Sequence, residues 1–163
     1  MISREYSYRH QEHKARNGEI YALGVSGHSF FNNLDYYNHH SFIKYKSSLN
    51  KRKLPIERGR KLEKNEQMIR FVILSLQKTS GVNRNDGGID KSLFREKFSQ
   101  SISNVFKKEL MVLKRLGLIS ESDSHIHLTY LGLLYSHETS LFFYLKRDRK
   151  KIRQFSRMAK IGT

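Results

Sequence analysis

A helical repeat of apolar residues is strongest in the middle of the chain, over residues 63–77. Apolar side chains recur there at spacings of three and four residues, which predicts an amphipathic helix packed against a core. The residues on this face are Met68, Ile69, Val72, Ile73 and Leu76, widened by Phe71 and Leu74. So broad an apolar face predicts a helix that is central to its domain.

The chain after this helix predicts further helices and a hairpin. Asp90 caps a short helix that runs to about Phe98, and a second helix over 103–116 is capped by Ser103 and ended by Gly117. A hairpin is predicted from residues 118–119 and 125–128. Thr129 caps a last helix over 130–147. Helix, short helix, helix and hairpin is the order of a winged helix-turn-helix. In that fold the helix over 103–116 is the recognition helix.

The opening part of the chain has a short apolar run followed by small polar residues. Residues 19–25 lack polar alternation, which is typical of a strand buried on both faces of a parallel sheet. The sequence then predicts a loop over 26–40, a short helix over 41–49 and a basic linker over 50–60 that holds the only proline, Pro55. No other segment supplies further strands of a parallel sheet.

We therefore predict a mainly α (α+β) fold in three parts. Residues 1–60 form an irregular segment with the strand over 19–25, a loop and a short helix. Residues 61–147 form a winged-helix-like helical C-terminal domain with a small β-hairpin, and residues 148–163 form a basic tail.

Composition narrows the functions that this chain can perform. It has no cysteine, which excludes disulfides, thiolate metal sites and a cysteine nucleophile. Its net charge of +16 favours anionic partners. No apolar run is long enough to cross a membrane, and the polar first residues do not resemble a secretory signal. We therefore expect no membrane partner and a cytoplasmic location.

The sequence contains few residues that could bind a cofactor or a metal ion. Each of them can also be explained by a purely structural role. The loop at 24–29 could bind a cofactor through its backbone, or it could be a tight turn after a strand. The eight histidines could include metal ligands. The adjacent side chains of His39 and His40 diverge, however, and His10 and His13 lie in an irregular segment. His125 and His127 share one strand face but have no third ligand nearby in sequence. Surface histidines are the favoured interpretation, and no metal site or catalytic residue is predicted.

The helix over 103–116 carries a cationic surface. Spacing of seven residues places two pairs of basic side chains on neighbouring ridges of its exposed side. These residues are Lys107, Lys108, Lys114 and Arg115. They could contact nucleic acid as a recognition helix does, or they could belong to an ordinary solvated helix.

Several of these segments, in this order, resemble one enzyme family. The segments are LGVSGHS at 23–29, the helix over 62–76, KRLGLI at 114–119, HLTYLG at 127–132 and QFSR at 154–157. Together they resemble the end of the barrel and the C-terminal region of oxygen-independent coproporphyrinogen III oxidases, which are radical SAM enzymes. The resemblance covers most of the chain, from about 19 to 157.

The resemblance implies a parent reaction and its cofactors. Full members of the family carry a radical SAM barrel before this region. They use a [4Fe–4S] cluster and S-adenosylmethionine to decarboxylate coproporphyrinogen III in haem (porphyrin) biosynthesis, an oxidoreductase reaction. Relatives include haem chaperones. The strand over 19–25 is then implied to be a remnant of that barrel, and Ser26, Gly27 and His28 are implied to lie near S-adenosylmethionine.

The lack of cysteine separates this chain from the catalytic members, whose cluster is held by a cysteine loop in the barrel. We therefore expect a C-terminal domain or fragment of such a protein, without a cofactor or catalysis of its own. The expected partners are a separately encoded radical SAM barrel and an acidic tetrapyrrole, whose propionates would attract Arg and Lys. The alternative is a basic winged-helix protein that binds nucleic acid.

Overall fold

The computed structural model describes residues 18–77 and 88–144. The chain divides into two compact units, residues 1–74 (unit 1) and 75–163 (unit 2). The predicted part boundaries at 60 and 147 stay predictions. The predicted basic tail over 148–163 lies outside the described residues, as do His10 and His13.

Unit 1 contains an antiparallel sheet of three strands. These are β1 (His28–Phe31), β2 (Leu34–Asn38) and β3 (Ile56–Lys61), in the order β1-β2-β3. Helix α1 (Phe42–Asn50) connects β2 to β3, and helix α2 (Lys64–Gln77) follows β3 and extends into unit 2. The apolar face predicted for α2 is confirmed at Met68, Phe71, Val72, Ile73 and Leu76, which are buried. The other two predicted residues, Ile69 and Leu74, are half-buried.

The loop predicted over 26–40 is in fact a β-hairpin. Asn32 and Asn33 connect β1 to β2, with φ of +47° and +61°. Positive φ at both central residues is the type I′ geometry, whose twist matches that of the flanking strands. The linker predicted over 50–60 likewise ends in a strand, because the segment after Pro55 pairs with β2.

The strand predicted over 19–25 is wrong as a continuous element. Only Ile20 pairs, in an isolated antiparallel bridge to Phe30 with N–H···O distances of 2.8 and 2.9 Å. The chain then turns at Gly24 and Ser26, whose φ angles of +93° and +57° are incompatible with a strand. The apolar run therefore contains exposed residues, among them Leu23.

Unit 2 combines helices with a second antiparallel sheet of three strands. Its elements after α2 are β4 (Ile89–Asp90), α3 (Lys91–Phe98), α4 (Ile102–Val105), α5 (Lys107–Arg115), β5 (Ile119–Glu121), β6 (His125–Leu128), α6 (Tyr130–Leu134) and α7 (Ser136–Leu141). The sheet order is β4-β6-β5. The α+β class and the predicted hairpin are confirmed, and the winged-helix assignment stays a prediction.

Local capping explains where these helices begin. The Asp90 carboxylate accepts the N–H groups of Ser92 and Leu93, and the Thr129 hydroxyl accepts the N–H of Gly132. Both predicted caps are confirmed. Ser103 is not a cap, because α4 already begins at Ile102.

The two longest helices predicted in unit 2 are interrupted. The helix over 103–116 breaks at Phe106 (φ −113°), whose side chain is buried. The helix over 130–147 breaks at Tyr135 (φ −110°), and its predicted end lies outside the described residues. At the first break, the Phe106 ring packs against the rings of Phe94 and Phe143, a tertiary contact that the local helical pattern does not contain.

The core of unit 2 lies between its sheet and its helices. Each strand contributes one buried isoleucine, and the helices contribute mainly phenylalanine and leucine. The buried apolar residues are Leu76, Ile89, Phe94, Phe98, Ile102, Phe106, Leu110, Leu113, Leu118, Ile119, Ile126 and Phe143. Within the described ranges, no helix has the length and apolar character needed to span a bilayer.

Candidate functional site

The segment between Ile20 and strand β1 is a tight turn held by its own backbone. The N–H of Ser26 donates to the carbonyl of His39 at 3.0 Å, and the N–H of Gly27 donates to the carbonyl of Gly24 at 3.4 Å. The backbone donors that a small-residue loop would offer to a ligand are thus engaged within the protein.

Asn38, buried at the end of β2, fixes this turn. Its side-chain amide donates to the carbonyls of Ala22 and Gly24, at 3.1 and 2.9 Å. Its backbone N–H donates to the carbonyl of Gly27 at 2.9 Å. A Cβ on Gly27 would lie 2.9 Å from the Cβ of Ala22, so only glycine allows this close approach.

Four side chains form a row on one face of the unit 1 sheet. His28 lies across from Tyr37, which lies across from Arg58. The rings of His28 and Tyr37 are stacked at 4.3 Å with 8° between their planes, and the guanidinium carbon of Arg58 lies 5.0 Å from the Tyr37 ring. The Nε2 atom of His28 lies 2.5 Å from Oδ1 of Asp35. We call His28, Asp35, Tyr37 and Arg58 the histidine row.

Two further arginines lie close to this row in unit 1. The guanidinium of Arg70 lies 3.7 Å from the centroid of the Phe30 ring. Burial lowers the pKa of Arg70, and the charge of nearby Asp35 opposes that shift. Arg60 pairs with the buried carboxylate of Glu66 at 2.5 Å. Each of these two arginines therefore lies near a carboxylate of the same unit, Arg70 near Asp35 and Arg60 beside Glu66.

The same unit exposes several apolar side chains on the turn, on α1 and in the segment before Pro55. Helix α1 has no buried residue, and the hydroxyl of Tyr45 accepts the N–H of Gly24 at 3.0 Å, which joins the helix to the turn. Leu23 is 93% exposed and Ile43 is 79% exposed. We call the exposed set the turn patch: Tyr21, Leu23, Val25, Phe42, Ile43 and Leu54. Exposed apolar side chains that form a contiguous area are typical of a surface that another protein covers.

The residues predicted to lie near S-adenosylmethionine are brought together, but not as an open cradle. Ser26 and Gly27 use their N–H groups inside the turn, and the ring of His28 is held by Asp35. The tight-turn interpretation describes this backbone, and the cofactor assignment stays a prediction. The residues do not fit a cysteine-held cluster, because the chain contains no cysteine.

The four basic residues predicted to contact nucleic acid all lie on α5, but one of them is engaged. The ammonium of Lys114 pairs with the carboxylate of Glu121 on β5. Glu121 also pairs with Lys91 at 2.5 Å, and these two ammonium groups lower its pKa. The side chains that remain exposed without an ion-pair partner among the described residues are Lys107, Lys108 and Arg115.

Three of the other described histidines, His40, His125 and His127, have a side-chain partner. His40 lies 2.9 Å from Glu57, and that hydrogen bond lowers the pKa of the glutamate. The rings of His125 and His127 stack with centroids 5.5 Å apart. Within residues 18–77 and 88–144, no group of three or more histidine and acidic side chains is placed to hold a metal ion.

Sequence reasoning missed the pairing of His28 with Asp35, although a signal for it exists. Two asparagines between apolar and aromatic runs predict a two-residue hairpin. With Asn32 and Asn33 as the turn, residues on one face follow by alternation, which places His28 beside Tyr37 and Asp35. The clustered polar residues favoured a loop instead.

Comparison with known proteins finds a family model and a curated relative that both concern the HemN and HemW proteins. Residues 62–135 match the family described as the HemN C-terminal domain. The chain is 26% identical over 122 residues to the haem chaperone HemW of Bacillus subtilis (strain 168), a match that covers 75% of this chain and 30% of that protein. The chain therefore spans under a third of this curated relative.

The fold of the chain is also similar to that of a protein of known structure. The chain is similar to coproporphyrinogen III oxidase (HemN) from Escherichia coli, a radical SAM enzyme, with a TM-score of 0.60 and 21% identity. The match covers 77% of this chain and 28% of the other. At this identity the likeness shows a shared fold.

Proposed function

We propose that the chain serves as the C-terminal part of a HemN- or HemW-like radical SAM protein, because its residues 62–135 match the family described as the HemN C-terminal domain. In this proposal the chain performs no radical chemistry alone, since its 163 residues include no cysteine to hold a cluster. A radical SAM barrel on another polypeptide, or on chain beyond this sequence, supplies the cluster and S-adenosylmethionine.

The turn patch supports a docking role for unit 1. Its most exposed members, Leu23 and Ile43, lie on the turn and on α1, which the hydrogen bond from Gly24 to Tyr45 holds together. The relatives are more than three times as long as the matched part of this chain. A barrel that covers the turn patch would remove this apolar area from water, which stabilises the complex by about 25 cal/mol per Å² before association costs.

A binding experiment with a separately produced barrel tests this role. The barrel, reconstituted anaerobically, is mixed with the chain, and the complex is measured by calorimetry. The double variant Leu23→Ser/Ile43→Ser is expected to bind about tenfold more weakly or worse, because two apolar contacts are lost. Leu134→Ser in unit 2, which removes a comparably exposed leucine, is the matched control and should bind normally.

The reaction that the reconstituted complex catalyses would identify its substrate. We propose the tetrapyrrole class, in which the oxidase decarboxylates coproporphyrinogen III and the chaperone relative handles haem. Decarboxylation by the complex would favour the oxidase role, and haem transfer without decarboxylation would favour the chaperone role. The proposal fails if the chain alone assembles a cluster and cleaves S-adenosylmethionine.

A second candidate, nucleic-acid binding, is favoured by the exposed cations on α5. Lys107 and Lys108 at its start and Arg115 at its end point to solvent in a unit with the element order of a winged helix. This role predicts binding to duplex DNA that weakens steeply with salt and is lost on replacing these residues. Binding that ignores the substitutions contradicts it.

A further inference from the structure

Strand β3 is an open edge of the unit 1 sheet. It pairs with β2 on one side, and no strand within the described ranges pairs with its other side. All six of its residues, Ile56–Lys61, are exposed. An unpaired strand edge presents a row of backbone N–H and C=O groups that can pair with another extended chain. A further strand can therefore add to the sheet at β3.

The hydrogen bonds of the sheet show which backbone groups face this open edge. The N–H of Leu62 donates to the carbonyl of Asn33 at 2.8 Å, so these two residues form a hydrogen-bonded pair across the strands. Bonded and non-bonded pairs alternate along an antiparallel ladder, and Arg60 is therefore the next residue of β3 that bonds to β2. The backbone groups of Gly59 and Lys61 alternate with these and point away from β2, toward the open edge.

Gly59 leaves the middle of the edge free of side-chain atoms. A Cβ on Gly59 would lie 2.6 Å from the Cβ of Tyr36 on the neighbouring strand, which is too close for any other residue without movement of the strands. A glycine inside a strand often marks a place where another backbone approaches closely. The centre of the β3 edge is thus both unpaired and sterically accessible.

The charges of β3 favour an acidic partner. The strand carries three cations, Arg58, Arg60 and Lys61, and one carboxylate, Glu57, which His40 contacts at 2.9 Å. Neither Arg58 nor Lys61 has a carboxylate partner in the part of the chain that the structure describes. Opposite charges on neighbouring strands stabilise their pairing. An extended segment rich in aspartate or glutamate therefore fits this edge.

The same charges disfavour a second copy of this chain as the added strand. Antiparallel pairing of two β3 strands about Gly59 would place Arg58 of each copy opposite Arg60 of the other. Like charges directly opposite each other destabilise a strand pair. Cations on an edge strand commonly prevent self-association in this way, and they leave an acidic strand free to bind.

From these observations we propose that the open edge of β3 binds an extended, acidic segment of a partner protein by strand addition. Gly59 and Lys61 exchange main-chain hydrogen bonds with that segment. The side chains of Arg58 and Lys61, on opposite faces of the sheet, pair with its carboxylates. This interaction goes beyond the proposed function, because it requires neither a radical SAM barrel nor the turn patch.

Amide hydrogen exchange of the full chain, measured by NMR with an acidic peptide as the probe, tests this pairing. The probe is an N-acetylated peptide of about ten residues that combines glutamate with valine and threonine. In the free chain, the amides of Gly59 and Lys61 should exchange rapidly, whereas β2 protects those of Arg58 and Arg60. The peptide should slow exchange at Gly59 and Lys61 by at least about tenfold. Unchanged exchange at these two amides overturns the proposal.

Two altered peptides separate strand addition from simple attraction between charges. Methylation of the peptide's backbone nitrogens removes its N–H donors and keeps every carboxylate, so binding should weaken at least about tenfold. Replacement of glutamate by lysine keeps the backbone and should abolish binding. Strand addition is excluded if either altered peptide binds as tightly as the parent. It is also excluded if duplex DNA slows exchange at the same two amides as much as the peptide does.

Variants of the chain assign the groups on β3. Lys61→Pro removes an N–H that faces the open edge, where proline is tolerated because the ladder to β2 does not use that donor. It should weaken binding at least about tenfold, and more than Lys61→Ala, which removes only the charge. Lys44→Ala removes an exposed cation on α1 and should bind normally.

Thermal unfolding of each variant checks its fold, and the peptide comparison needs no variant. Equal binding by Lys61→Pro and Lys61→Ala contradicts a main-chain contact at this position. Barrel docking is measured without the peptide, so a failure here leaves that result untouched.

Discussion

The two antiparallel sheets of this protein have the same number of strands but opposite surroundings. In unit 2, Ile89 pairs with Ile126 across the strands, and both are completely buried beneath the helices. In unit 1, His28 pairs with Tyr37 and Tyr37 with Arg58, and every residue of β3 is exposed. The sheet of unit 2 forms a core, whereas the sheet of unit 1 buries Phe30 and also presents a polar row to solvent.

This difference separates stability from recognition. Burial of isoleucine and phenylalanine stabilises unit 2 from its own residues. Unit 1 leaves apolar side chains uncovered on the turn and on α1, and it places its charged and aromatic groups in ordered, accessible positions. Substitutions in the two units should therefore affect different measurements.

The largest loss of stability is expected from Phe94→Ala. Phe94 is 0% exposed and contacts the rings of Phe98 and Phe106. Removing it should lower the free energy of unfolding by about 3–5 kcal/mol, measured by urea denaturation. Phe42→Ala in unit 1 is the control, since an exposed ring should change stability by less than about 0.5 kcal/mol. Equal losses of stability in the two variants would contradict the proposed difference between the two sheets.

A smaller loss is expected from Gly132→Ala on α6. The added Cβ would lie only 1.9 Å from the carbonyl oxygen of Leu118, and a backbone atom has little room to move. Overpacking of this kind should cost about 1–3 kcal/mol in thermal or urea unfolding. Leu133→Ala, at the exposed neighbouring position, should cost much less, and the reverse order would show that α6 does not pack as described.

Glu121→Gln should change how stability depends on pH. The pKa of Glu121 is lowered by Lys114 and Lys91, so its contribution is present above the pKa of the unfolded chain. That contribution is lost as pH falls below about 5 towards the lower pKa of the folded state. Unfolding midpoints of wild type and variant should differ at pH 7 and converge in acid. A constant difference would exclude this linkage.

The smallest change in stability is expected from Ile43→Ser on α1. An exposed side chain adds little to the isolated chain, so unfolding should change by less than about 0.5 kcal/mol. Binding to a radical SAM barrel should nevertheless weaken. A large loss of stability without any loss of binding would show that Ile43 serves the fold of unit 1 rather than docking.

Sequence patterns predicted unit 2 better than unit 1, for a physical reason. In unit 2, helix caps, apolar periodicity and the polar turn before β6 act over a few residues, so Asp90 and Thr129 could be assigned directly. In unit 1, the run over 19–25 has the pattern of a parallel strand, yet Ile20 pairs with Phe30 and the rest turns away. The partner of a strand depends on residues far along the chain, which a local pattern does not contain.

By itself, the sequence determined the α+β class, the central helix α2, two helix caps, the β5–β6 hairpin and the exclusion of a cysteine-held cluster. Only the tertiary structure decided where polar groups meet. It placed Lys114 on Glu121, engaged the N–H groups of Ser26 and Gly27 inside a turn, and brought Asp35 to His28. Caps and periodicity follow from neighbouring residues, whereas these contacts depend on strand register and on packing between elements distant in sequence.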